Sequence, residues 1–212
     1  MLSTKKIIIL VAATSVFFIA VMLGTQYLAK KRALEALPVN TKMGGDFILP
    51  STQGAGQDGG QGKLDTSTLR GKVVLLNFGF TSCPDVCPLV LARLKQVLKE
   101  LGEDAAGAQV VFVSFDPERD SLPNLTAYVQ HFDPRIIGAT GSDAEIATVA
   151  AQYGVVYIKE KSDSASGYNF AHSDYIYLLD KQGRLRKLYA NDAKTTEISA
   201  DVRLLQSEGS LF

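Results

Sequence analysis

Val73-Val74-Leu75-Leu76-Asn77-Phe78-Gly79-Phe80-Thr81-Ser82-Cys83-Pro84-Asp85-Val86-Cys87-Pro88 holds the only two cysteines of the 212-residue chain, four positions apart. Val73 to Phe78 is apolar and rich in β-branched and aromatic residues, the mark of a buried strand. Beyond the cysteines, Leu89, Val90, Leu94, Val97, Leu98 and Leu101 recur at helical spacing. The cysteines therefore stand where a core strand turns into a helix. A helix N-terminus carries partial positive charge and lowers a thiol pKa. The spacing predicts both sulfurs on one helical turn, at i and i+4, sharing a face. There they can close a disulfide or grip one soft metal ion. Two unrelated core cysteines would be the plainer reading, but two prolines and an aspartate crowd a place where buried hydrophobes are expected.

Lys+Arg and Asp+Glu balance at 22 each. No basic run interleaved with aromatics occurs, so nucleic acid is not an expected partner. Two cysteines are too few for a disulfide scaffold and fit one redox pair or one metal site. Residues 7–29 form an uncharged run of 23 residues. It would span roughly 34 Å as a helix, against a hydrocarbon core of about 30 Å. Gly24, Thr25 and Gln26 weaken its far end. The run is too long for a cleaved signal peptide and lacks the cysteine that lipoprotein processing needs. The expectation is an uncleaved inner-membrane anchor at 7–29, with a cytoplasmic tail at 1–6 and a stalk at 30–45. Flanking charges do not fix orientation, since Lys5 and Lys6 face Lys30, Lys31 and Arg32. A short tail that stays inside puts the remaining domain, 46–208, in the periplasm. About 180 residues remain for it, enough for a sizeable core.

Asp46 to Pro50 starts a hairpin, and Gly54, Gly56, Gly59, Gly60 and Gly62 mark a mobile loop. Val110 to Ser114 is a second buried strand. It ends at Asp116-Pro117-Glu118-Arg119-Asp120, which reads first as a solvated turn and otherwise as support for the site or a docking patch. Ser121 caps a helix through Phe132, with Pro123 in its first turn. Ile136 to Ala139 is a short strand. Ser142 and Glu145 make a capping box, and Gly154 ends that helix. Val155 to Lys159 and Tyr168 to Ala171 form a hairpin. Asp174 to Leu179 and Arg184 to Ala190 flank a turn at Asp180-Lys181-Gln182-Gly183. Ile198, Val202 and Leu205 mark a last amphipathic helix. This order predicts an α/β sandwich around a mixed sheet, and a thiol pair opening the first core helix points to a thioredoxin-like fold with an added β-hairpin.

Of the two histidines, His131 reads as a surface residue of a helix. His172 sits at the mouth of an apolar strand, which a thioredoxin-like sheet brings close to the cysteines. Two thiolates and an imidazole make a soft three-ligand site suited to copper or zinc. Zinc wants a fourth ligand, whereas Cu(I) is content with three. Met43 is the sole methionine past the anchor and lies in the stalk. Asp85 reads either as tuning the charge of the site or as a helix-start residue that the macrodipole stabilises.

The run from Leu76 to Pro88 closely resembles the signature of the Sco (SenC) family of copper-binding proteins. Asp116 to Asp120, Phe132-Asp133-Pro134-Arg135 and His172 to Asp180 are similar to further family segments, and the likeness extends in order from Asp46 to Leu205. The resemblance implies a thioredoxin fold, with Cys83, Cys87 and His172 as ligands of copper, chiefly Cu(I) with Cu(II) as a second state. It also implies a metallochaperone rather than an enzyme. Its partners would be a copper-receiving subunit of cytochrome c oxidase and a thiol reductant or upstream copper donor. Many members carry an aspartate before the histidine. Here that place is Ala171, so any help from that carboxylate to Cu(II) is in question. The competing function is thiol–disulfide exchange by Cys83 and Cys87. Two features favour copper: the spacing is C-x-x-x-C, and His172 stands where thioredoxin-type reductants place a cis-proline before the strand. Pro134 is the last proline of the chain.

Overall fold

The computed structural model describes residues 4–53, 62–162 and 167–209, with side chains from residue 14 onward. The chain divides into two compact units, Met1–Pro38 and Val39–Phe212. The first contains one continuous helix, α1 (Thr4–Glu35). No helix among the described residues is long and apolar enough to cross a membrane, so the expected anchor is not found there. From residue 14 onward, Gly24, Gln26, Lys30, Lys31 and Arg32 dilute the apolar character of the helix.

The second unit is built on a seven-stranded mixed sheet. Its strands are β1 (Ile48–Ser51), β2 (Gly62–Asp65), β3 (Val73–Gly79), β4 (Ala108–Ser114), β5 (Ile137–Ala139), β8 (Tyr175–Leu179) and β9 (Leu185–Ala190), in the order β2-β1-β5-β4-β3-β8-β9. β3, β4 and β5 run parallel, and β8 joins β3 antiparallel. Every residue of β3 and β4 is buried, which is why both read as continuous apolar runs rather than alternating ones. The remaining strands, β6 (Tyr157–Lys161) and β7 (Tyr168–His172), pair only with each other in a separate two-stranded sheet. This is the added hairpin. The glycine-rich loop expected after β1 lies, apart from Gly62, outside the described residues.

Helices α2 (Val86–Leu101), α3 (Leu122–Phe132), α4 (Asp143–Tyr153) and α5 (Thr195–Gln206) pack around the sheet. Ser121 caps α3 by accepting from the Asn124 amide. Ser142 and Glu145 form the expected capping box of α4, and Gly154 closes that helix in the left-handed region. From α4, Tyr153 packs edge-on against Phe47 and Tyr177. From α3, Tyr128 packs against Phe112 of β4. Met43 lies against the core beside Gly154. The result is the expected α/β sandwich, with the end of β3 aimed at the start of α2.

Candidate metal centre

Strand β3 ends at Gly79, whose carbonyl accepts from the Phe115 amide at 3.0 Å. The chain then turns through Phe80 to Asp85 before α2 starts at Val86. Cys83 lies in this turn, its amide donating to the Phe80 carbonyl at 3.3 Å. Cys87 is the second residue of the helix. The expectation of both sulfurs on one helical turn is therefore corrected. Pro84 is the physical reason, because a proline ring disfavours helical backbone in the residue before it. Asp85 occupies the N-cap position, exposed and without a side-chain capping bond.

The sulfurs still converge. Both Sγ atoms and a ring nitrogen of His172 lie within 4.8 Å of one another. His172 closes β7, and its Nε2 stands 3.8 Å from Cys87 Sγ. Its Nδ1 lies 3.0 Å from the Ser173 carbonyl. A carbonyl can only accept, so Nδ1 carries a hydrogen; Nε2 faces the sulfurs, donating when the imidazole is protonated and offering its lone pair when it is neutral. Phe115 and Phe80 pack against the ring, at 5.1 and 6.0 Å between centroids. Cys87 is 1% exposed, while Cys83 and His172 are half-buried. The site thus opens to solvent on the Cys83 side, in a shallow groove lined by Pro84, Asp85, Asn169, Asp174 and Asn191.

The electrostatics divide the two thiols. A hydrogen bond from Cys87 holds the Cys83 thiolate, and against the cost of burial His172 and the amides of Cys87 and Asp85 add to it, bringing the Cys83 pKa down to about 3. The same bond, burial and the Cys83 charge push Cys87 well above the ordinary thiol range. Burial alone would lower His172. Cys83, the Ser173 carbonyl and the Asp174 charge outweigh it and raise the imidazole. One thiolate, one thiol and one imidazole are a soft donor set. It fits Cu(I) in three-coordinate form, and Met43 is packed elsewhere, beside Gly154.

His131 is exposed on α3 and packs only on Phe132 at 5.4 Å, as expected of a surface histidine. The 116–120 turn departs from the solvated turn that its charges suggest. Asp116 is 1% exposed and Asp120 fully buried. Asp120 accepts from the Thr81 amide at 2.8 Å and from the hydroxyls of Thr81 and Ser114 at 2.5 Å each. Asp116 pairs with Arg119 and accepts from the Tyr168 hydroxyl at 2.7 Å. Sequence reasoning also missed Asn77, buried on β3 and donating to the Tyr175 carbonyl at 3.0 Å. A lone amide inside Val73 to Phe78 was the available signal.

A family model described as SCO1/SenC matches residues 37–206. The human mitochondrial protein SCO2 homolog is 35% identical over 188 residues, covering 88% of this chain and 68% of the relative. The crystal structure of Arabidopsis thaliana ScoI with copper bound superposes with a TM-score of 0.68 at 34% identity, covering 78% of this chain and 99% of that one. Copper-bound yeast Sco1 gives 0.66 at 26% identity, covering 81% and 90%.

Proposed function

The chain belongs to the SCO1/SenC family, and from that premise we propose that it is a copper chaperone. It binds one copper ion through Cys83, Cys87 and His172 and delivers it to a copper centre of cytochrome c oxidase during assembly. The observation that carries this reading is the convergence of three soft donor atoms within 4.8 Å, from segments 85 residues apart in sequence. The copper-bound Arabidopsis and yeast relatives support the choice of metal. Copper entry displaces the Cys87 proton and uses the Nε2 lone pair; Cys83 is already a thiolate. The uncharged run at 7–29 supports a single inner-membrane anchor with the domain, 46–208, in the periplasm.

Thiol–disulfide exchange is the second reading, favoured by a half-exposed Cys83 thiolate beside a Cys87 thiol. Cys83 would attack a partner disulfide and release one partner thiolate. Cys87 would then resolve the mixed disulfide, leaving the pair oxidised and the partner reduced by two electrons. His172→Ala separates the two readings. It removes a metal ligand and leaves both sulfurs. Copper affinity should fall by at least about 10–100-fold, the loss typical of groups that merely support a ligand, while the intramolecular disulfide still forms. Oxidase assembly at limiting copper should then fail. Normal assembly despite weakened copper binding would end the chaperone reading.

A further inference from the structure

The 116–120 turn touches both segments that supply the site. On one side it faces the cysteine segment. Fully buried Asp120 receives the amide and hydroxyl of Thr81, two residues before Cys83. On the other it faces the histidine hairpin. Asp116 receives the Tyr168 hydroxyl, and Arg119 donates to the Tyr168 carbonyl at 3.0 Å. The Arg119 guanidinium lies 3.8 Å over the Tyr168 ring and 5.6 Å from the Phe80 ring, so one side chain meets both segments. Tyr168, Phe170 and His172 alternate along β7 and therefore share a face. The turn is itself fixed, by the Phe115 amide on Gly79 and the Asp120 amide on the Asp116 carbonyl at 2.9 Å. Burying two carboxylates costs free energy that these bonds must offset, which is more than a connecting turn requires.

We infer that this turn sets the distance between the sulfurs and the imidazole, Asp120 positioning the cysteine segment and Asp116 with Arg119 positioning the hairpin through Tyr168. The inference rests on the metal site proposed above. It predicts two separable arms. Asp120→Asn leaves a side chain that cannot accept all three bonds, because the amide NH2 group only donates.

The test uses the reduced full chain carrying Asp120→Asn or Tyr168→Phe. Three quantities are read: the iodoacetamide alkylation rate of Cys83, the ring nitrogen shifts of His172 in the metal-free protein, and Cu(I) affinity by competition with a chelator. Tyr168→Phe should move the His172 shifts and lower Cu(I) affinity about tenfold or more, with only a smaller change in Cys83 alkylation through its contact with His172. Asp120→Asn should change Cys83 alkylation and lower Cu(I) affinity, with only a smaller movement of the metal-free His172 shifts through its contact with Cys83. Should Asp120→Asn fail to fold, Thr81→Val removes one of the three bonds and reads the same arm. If both variants only lower the melting temperature, or move both arms in the same proportion, the inference is overturned. A wild-type chain that binds no Cu(I) removes the metal reading instead, and the two metal-free readouts still decide on the turn.

Discussion

Gly79 and Cys87 share one space: a β-carbon on Gly79 would stand 2.8 Å from the Cys87 sulfur. The same β-carbon would meet the Phe112 ring, also at 2.8 Å. Phe112 is fully buried against Tyr128 and has no room to retreat. Gly79 is therefore small because the sulfur needs its place. Gly79→Ala should cost about 1–3 kcal/mol, as overpacking does, and should weaken copper binding by displacing Sγ. Denaturant midpoints and a copper titration check both. Wild-type values in each would show that the sulfur has slack.

Copper affinity should depend on pH in two stages. In the site proposed above, binding needs Cys87 ionised and His172 neutral. Cys87 is held protonated through the neutral range, so it gives up one proton whenever copper enters. His172 is raised above its ordinary value, so at lower pH it gives up a second. The logarithm of Cu(I) affinity should rise with pH at a slope near two at and below the ordinary imidazole value, falling toward one as pH rises through the raised His172 value. In His172→Ala the slope should stay near one throughout. In the metal-free protein the raised imidazole adds stability that is full below the unfolded value and lost as pH rises through the folded one. Equal slopes in wild type and variant would contradict this account.

Asp180 should matter for folding and not for copper. Its buried carboxylate accepts from the Gln182 and Arg184 amides, each at 3.0 Å, and pairs with Arg184 and Arg186. Burial alone would raise its pKa, but these partners hold it below the ordinary carboxylate range. Its contribution is thus present above the unfolded pKa and lost as pH falls through the folded one. Asp180→Ala should cost about 3–5 kcal/mol, because it leaves Arg186 buried beside a missing partner. The low end fits best, since Glu208 still pairs with Arg186 at 2.7 Å. Thermal unfolding at neutral and acid pH measures the loss, and a Cu(I) titration of the folded variant should match wild type.

The legible parts of the sequence obey local rules. The run Val73 to Phe78 announces a buried strand, and Ser142 with Glu145 a helix start, because each signal and its consequence lie within a few residues. The three residues of the candidate site are legible for a similar reason: only two cysteines exist, and one histidine stands at a strand mouth. The helical placement of Cys83 fails because spacing alone ignores the effect of Pro84 on its predecessor. The burial of Asp116 and Asp120 is hidden for another reason. Four charges within five residues look solvated, and the groups that satisfy Asp120 and Asp116, Thr81 and Tyr168, are 39 and 52 residues away. Strand β2 lies just after a glycine-rich stretch and carries only Leu64 as a large apolar residue.

Strands β6 and β7 hydrogen-bond as a ladder only to each other. His172 therefore sits on a part of the molecule that can come away without breaking a rung of the seven-stranded sheet. Its attachment is made of side chains, chiefly the Phe115–Tyr157 stack at 4.9 Å and the contacts of Tyr168. Cys87 belongs to a helix packed into the core. The imidazole thus stands on a separately hydrogen-bonded sheet from the core that holds Cys87, and should open with its own free energy. Amide exchange should release β6 and β7 before β3 and β4. A receiving protein that loosens the hairpin would lift one ligand at the lower opening cost, while two sulfurs keep their hold.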